Sequence, residues 1–206
     1  MPPAALLVIA KEPLPGRAKT RLTPPCTQQE AADLAAAALS DTLDVVARTP
    51  TTRRVLVFDG DARHWTPRGF EVILQRGGGL GERLDSAFFD VDAGALLVGM
   101  DTPQLTPQLL IEGMSALEQP GVDAVLGPTE DGGYWGVGFR TPTPGAFTGV
   151  PMSSRSTWLR QRSRLDELGL GVHALPRLRD VDTINDARVV AALAPQTRFA
   201  RALAAV

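Results

Sequence analysis

The sequence predicts an α/β protein, built on a mostly parallel β-sheet with helices on both faces. Short apolar runs alternate with longer helical stretches along the chain. The runs are apolar at successive positions, as in strands buried on both faces. Pro and Gly punctuate the segments without a repeat, low-complexity tract or linker, so one domain over residues 1–206 is expected.

The first strand is expected at Ala4–Ala10 (AALLVIA), followed by a Pro/Gly-containing loop over Lys11–Thr27. Gln28–Arg48 is Ala-rich and helical, with Thr27 as N-cap. Strands follow at Arg54–Phe58 and Phe70–Leu74, then a loop at Gly77–Gly79 and a helix at Leu80–Asp90. Ala95–Met100 (ALLVGM) is another buried strand. A helix over Thr106–Leu117 begins at Thr106 or Pro107, because proline suits a first helical turn. Strands are expected at Val122–Leu126, Tyr134–Phe139 and Val172–Leu175, and helices at Ser154–Leu168 and Asn185–Leu193, the last closing the fold. Crossovers between parallel strands should be right-handed.

Composition narrows the function. The chain is 44% hydrophobic and 21% charged with net charge −2, and it has no long basic run, which argues against a dedicated nucleic-acid binder. A lone cysteine, Cys26, excludes an intramolecular disulfide and a cysteine-rich metal cluster. With only His64 and His173, a histidine-rich zinc site is not expected. The apolar start, Met1 to Ala10, lacks a basic flank and is far too short to span a membrane, so a cytoplasmic protein is expected. Of 21 basic residues only Lys11 and Lys19 are lysines, and they share one short stretch.

In such a sheet ligands bind beyond the carboxyl ends of the strands. The segment after the first strand carries Lys11, Arg17, Lys19 and Arg21 around Gly16. A phosphate chain needs such a loop: Gly lets N–H groups approach oxygens, and the cations neutralise charge as a phosphoryl bond breaks. A solvated basic turn is the plain alternative. The spacing matches neither a Walker A loop nor a dinucleotide G-x-G-x-x-G. After the third strand, Gly77, Gly78, Gly79 and Gly81 suit either backbone approach to a flat ligand or a flexible turn. Glu82 there suits the start of a helix.

Asp101, directly after an apolar strand, needs a partner, and Mg2+ or Mn2+ bridging to phosphates would supply one; capping a turn before Pro103 is the alternative. In Glu130-Asp131-Gly132-Gly133-Tyr134-Trp135 either acid could act as base or bind an acceptor, with the aromatics walling the pocket, or Asp-Gly-Gly could be a hairpin turn. Asp180 and Asp182 are two apart and face one side of an extended segment, which calls for a cation or Arg between them. Asp186 suits the start of the final helix.

Six motifs in this order resemble a known set. They are Lys11-Glu-Pro-x-Pro-Gly16-x-x-Lys19-Thr20-Arg21-Leu22, Gly-Gly79-Leu-Gly81-Glu82-Arg83, Gly99-x-Asp101-x-Pro103, Leu126-Gly127-Pro128-x-x-Asp131-Gly132-Gly133-Tyr134, Phe147-x-Gly-Val-Pro151 and Asp180-Val-Asp182-Thr183-x-x-Asp186. The chain resembles the GT-A-type glycosyltransferase-like proteins related to phospholactate guanylyltransferase and, more distantly, to molybdenum-cofactor guanylyltransferase. The resemblance implies a single Rossmann-like GT-A domain with a nucleotide along the strand ends. It also implies that the basic loop lies near the phosphates, that Asp101 is a metal ligand joined by Asp180 or Asp182, and that Asp131–Tyr134 lies on the acceptor side. Trp135-Gly136 and Met152 depart from the family pattern on that side.

Two transfer reactions follow as expectations. In the first, a small phosphorylated or phosphonate acceptor attacks the α-phosphorus of a nucleoside triphosphate, with a lean to GTP, and pyrophosphate leaves. Lys11 would contact the α-phosphate, Lys19 and Arg21 the leaving charge, and Asp101 the metal. In the second, the donor is a nucleotide-sugar, and Glu130 or Asp131 deprotonates an acceptor hydroxyl. A non-catalytic nucleotide binder is the third reading. Partners are then a nucleotide and a small molecule, without nucleic acid or membrane, and a homodimer is compatible.

Overall fold

The computed structural model describes residues 5–206. Seven strands, β1 (Ala5–Lys11), β2 (Arg54–Asp59), β3 (Glu71–Leu74), β4 (Ala95–Gly99), β5 (Ala124–Pro128), β6 (Tyr134–Phe139) and β7 (Val172–Ala174), form one sheet in the order β3-β2-β1-β4-β6-β5-β7. Pairing is parallel except at β6, which runs antiparallel to both β4 and β5. The predicted α/β class and mostly parallel sheet are present. Ala4, expected to open the first strand, lies outside the described residues.

Successive residues of β1 show why its sequence is apolar throughout. Leu6, Val8 and Ala10 enter the core beneath α1 (Gln28–Arg48) and α3 (Pro107–Glu118). Ala5 and Leu7 enter the opposite core, beneath α2 (Leu80–Val91) and α4 (Thr157–Glu167). A strand with a core on each side has no solvent face to supply polar residues. A third cluster joins the far side of α1, through Leu34 and Ala38, to α5 (Ile184–Leu193) and α6 (Arg198–Leu203).

The long helix α1 begins and ends where its sequence predicts. Thr27 caps it, and Glu30 reaches back to the Thr27 N–H (2.7 Å), completing a capping box. Asp186 plays the same part at α5, where its carboxylate accepts from the Thr183 N–H (2.9 Å).

Three expectations need correction. The helix expected from Ser154 starts at Thr157, because Ser153 adopts a left-handed φ of 57° and Ser154 donates its N–H to Thr157 Oγ1 (3.0 Å). The strand expected at Val122–Leu126 is displaced to Ala124–Pro128, after a turn in which Val122 N–H bonds Gln119 O. Asn185–Leu193 is not the last helix: α6 follows, its first N–H groups held by the buried Asp41 of α1. Asp41 is 157 residues away in sequence; the local signal for α6 is Thr197, whose side chain caps it by accepting the Ala200 N–H (3.1 Å). No helix among the described residues is long and apolar enough to cross a membrane.

Candidate functional site

From β1 the chain builds outward through β2 and β3, then returns to lay β4 on the other side of β1. Loops leaving the carboxyl ends of β1 and β4 therefore diverge, and a crevice opens between them. A cavity of about 490 Å3 occupies this place.

Lys11, Arg17, Lys19 and Arg21 line one wall. Gly16, at φ 73°, turns the segment back on itself, and Leu14 O accepts the N–H groups of Arg17 and Ala18. Lys11 Nζ ties the two arms by donating to Arg17 O (3.0 Å). Ala18 and Leu22, both fully buried, anchor the turn; between them the Lys19 side chain turns inward while that of Arg21 stays exposed.

Carboxylates form the other wall. Asp101 stands just beyond β4 and meets the segment that follows Leu178. Leu178 N–H bonds Pro128 O (3.0 Å), and Val181 N–H bonds Asp101 O (2.9 Å). Val181 points into the third core with no exposure, which turns Asp180 and Asp182 together into the cavity. That is the same-side arrangement their spacing predicts. Asp131 joins them: one oxygen from each of Asp131, Asp180 and Asp182 lies within 4.8 Å of the others. Asp131 is aimed by Thr129 Oγ1 (2.5 Å) and Gly133 N–H (2.8 Å), both donating to its Oδ1. The turn that delivers it requires glycine at 132. Gly132 has φ 95°, and a Cβ there would come 2.0 Å from Arg155 O.

Charge crowding shows in the proton affinity of Asp180. Burial, then the nearby Asp131 and Asp182 carboxylates, push it up to about 6, although a backbone hydrogen bond and Lys19 pull the other way. Lys19 pairs with Asp101 (Nζ to Oδ1, 2.6 Å) and donates to Val181 O; Arg21 pairs with Asp182 (2.8 Å). The partner that Asp101 needs at the end of an apolar strand is thus a lysine in this structure.

Not every expected residue meets here. Glu130 turns away from Asp131 and pairs with Arg179, which also holds Asp186 (2.8 Å). Trp135 contributes to the cavity lining, but its indole is core: it is 3% exposed, lies against Gly127 and donates to Pro176 O (2.9 Å). Tyr134 does line the cavity, with its hydroxyl 3.4 Å from Gln161 Oε1, and burial followed by Asp85 pushes its proton affinity upward. Gly78, Gly79 and Gly81 lie outside the lining, although Leu80 between them belongs to it. Gly78 donates its N–H to Glu82 Oε2 (2.7 Å), so that turn is held by the helix it precedes.

Two further residues line the cavity: Arg83, which the sequence offers only as the end of a motif with no role, and Gln75, which no motif contains. Arg83 Nη1 bonds Asp59 Oδ2 (3.1 Å) and Gln75 Oε1 (3.2 Å), while Gln75 Nε2 bonds Ala10 O (2.7 Å). The available signal was a cation in the first turn of a helix that follows a glycine run at the ligand edge.

Chemically, the crevice sets a basic loop against four carboxylates. Three carboxylate oxygens within 4.8 Å of one another suit a hard, oxygen-seeking cation such as Mg2+, which binds oxygens at about 2.0–2.1 Å, or Mn2+. Cysteine or histidine, as a softer metal would prefer, is absent from that group.

Residues 42–154 match the family described as "Uncharacterized protein conserved in bacteria (DUF2064)". The chain belongs to this family. The "putative nucleotide-diphospho-sugar transferase" from Desulfovibrio desulfuricans G20 is similar to this DUF2064 chain at 30% identity, over 92% of this chain and 87% of that one, with a TM-score of 0.82. Rv0371C of Mycobacterium tuberculosis H37Rv, solved in complex with manganese, shares the fold at 21% identity, over 92% and 97% of the chains, with a TM-score of 0.55. CMP:2-keto-3-deoxy-manno-octonic acid synthetase complexed with CTP shares it at 13% identity, over 94% and 99%, with a TM-score of 0.60. No curated protein gives a significant match. The DUF2064 chain therefore has the nucleotide-diphospho-sugar transferase fold that its motifs imply.

Proposed function

We propose that this protein is a metal-dependent nucleotidyltransferase that moves a nucleoside monophosphate from a triphosphate, GTP by preference, to a small phosphorylated or phosphonate acceptor. One observation carries the reading: the basic loop after β1 faces Asp101, Asp180 and Asp182 across a single cavity large enough for a nucleotide. The manganese bound by Rv0371C and the CTP bound by the synthetase are consistent with it.

In the reaction an acceptor oxygen forms a bond to the α-phosphorus, the bond from that phosphorus to the bridging oxygen breaks, and pyrophosphate carries away the electron pair. Lys11 would contact the α-phosphate. Lys19 and Arg21 would neutralise charge on the leaving pyrophosphate. Asp101, with Asp180 or Asp182, would hold Mg2+ or Mn2+, which would lower the charge repulsion between phosphates and acceptor.

A second reading is favoured by the cavity's lining. Its basic side chains come from the β1 loop and Arg83, whereas Tyr134, Ser153, Asp180 and Asp182 offer only hydroxyls and carboxylates. Such a wall suits a hydroxyl acceptor, and Asp131 beside it could take the proton in glycosyl transfer from a nucleotide-sugar.

Purified protein with Mg2+ or Mn2+ should release pyrophosphate from one of the four triphosphates when offered a panel of phosphorylated acceptors. Asp101→Asn should lower that rate by about 100-fold or more. Silence across the panel, with hydrolysis of a nucleotide-sugar instead, would replace the first reading by the second.

A further inference from the structure

We infer that Lys19 is the resident counter-ion of the carboxylate wall and makes divalent-metal binding depend on a nucleotide phosphate. This rests on the metal-dependent reading above and adds an order to it: the metal enters with the phosphate chain.

The Lys19 side chain is only 8% exposed, unusual for an ammonium on a strand-end loop. Its Nζ lies 2.6 Å from Asp101 Oδ1 and donates to Val181 O, so it ties the β1 loop to β4 and to the Asp180–Asp182 segment. Its backbone is left-handed (φ 49°, ψ 37°), a conformation uncommon for any residue but glycine. The loop therefore holds a buried lysine in a constrained place rather than leaving it free at the rim.

The charges facing it come from several elements. Asp101 lies beyond β4, Asp180 and Asp182 flank Val181, and Asp131 lies beside these two. On its own loop, Arg21 is spoken for by Asp182 and Lys11 by the Arg17 carbonyl. Lys19 is thus the cation in direct contact with Asp101.

A divalent ion approaching Asp101 alone meets this ammonium at close range. It must either share the carboxylate with a like charge or drive Lys19 from its two acceptors, Asp101 and Val181 O. In a partly buried site both are costly. A polyphosphate changes the balance, because its oxygens offer Lys19 a new partner while adding negative charge for the metal. Metal and phosphate then bind cooperatively, and each must strengthen the other by the same factor.

The test is Mn2+ binding to the metal-free protein without nucleotide, read from the free-Mn2+ paramagnetic resonance signal. Lys19→Gln should bind Mn2+ at least about ten-fold more tightly than the parent, while Lys19→Arg, which keeps the charge, should bind as weakly as the parent. Equal affinity in the parent and Lys19→Gln would overturn the inference and leave the metal-dependent reading standing. No Mn2+ binding by any of the three would overturn both.

A measurement on the unaltered protein guards against a misfolded variant. Lys11 is the only other lysine, so 15N-lysine labelling gives two ammonium signals. The Lys19 signal should stay in place with millimolar Mg2+ alone and move when inorganic tripolyphosphate is added with it. A complete shift with Mg2+ alone would overturn the inference.

Discussion

Two glycine turns border the crevice, and they look alike in sequence. Gly77–Gly79 precedes α2, and Gly132-Gly133 precedes β6. The first closes on its own helix, where Glu82 accepts the Gly78 N–H. At Gly79 a Cβ would meet nothing within 4 Å. The second is pressed against another segment: Gly132 lies under the Arg155 carbonyl, and Trp158 donates its N–H to Gly132 O (2.8 Å). Its product is a placed carboxylate, Asp131, beside Asp180 and Asp182. Each turn needs one glycine, but for different reasons: at Gly77 (φ 112°) a Cβ would meet Glu82 of the turn's own helix (2.7 Å), whereas at Gly132 the clash is with a distant segment.

The sharpest way to break this contrast is Gly132→Ala. Left-handed φ and a backbone clash combine, so a destabilisation of more than about 3 kcal/mol is expected in denaturant melts. Survival of native stability would show that the 153–156 loop yields to the side chain.

Asp131→Asn separates what the turn holds from what it delivers. Mn2+ affinity should fall by about ten-fold or more, with the melting temperature nearly unchanged. Unaltered affinity would remove Asp131 from the metal group.

Asp180 tests the same cluster through pH. Its folded-state value of about 6 is above the ordinary carboxylate value, so the folded protein binds the extra proton between about pH 4 and 6. Stability from this group therefore falls as pH rises through that window. In metal-free protein, Asp180→Asn should raise the melting temperature at pH 7.5, and the gain should fade as the pH falls from about 6 to about 4. Because protons compete with metal, Mn2+ binding to the parent should tighten as pH rises through about 6.

The smallest effect is expected at the other turn. Gly79→Ser places a good capping residue at an ordinary extended backbone (φ −99°), so the melting temperature should shift by less than about 2 °C and turnover should persist. Loss of turnover would return this turn to the ligand, one of the two readings that its sequence allows.

Much of the fold is legible in local pattern. α1 and β6 fall on their expected bounds, because a capping box and an apolar run are local signals. Asp180 and Asp182 share a side for the same reason: the alternation of an extended chain needs only the sequence. What was not legible depends on distant partners. Arg179 takes Glu130 away from its neighbour Asp131, and Pro176 claims the indole of Trp135, contacts separated by about forty or fifty positions. Arg83 gave only a weak signal, since its value lies in reaching Asp59 and Gln75 at the crevice.

The sequence by itself determined the α/β class, the chemistry gathered at the strand ends, and the family, because each is written in short-range spacing. Only the tertiary structure decided which carboxylates meet and what neutralises them. It brought Asp131 to Asp180 and Asp182, and set Lys19 on Asp101, because charge partnership follows distance in space, which crossovers and packing fix.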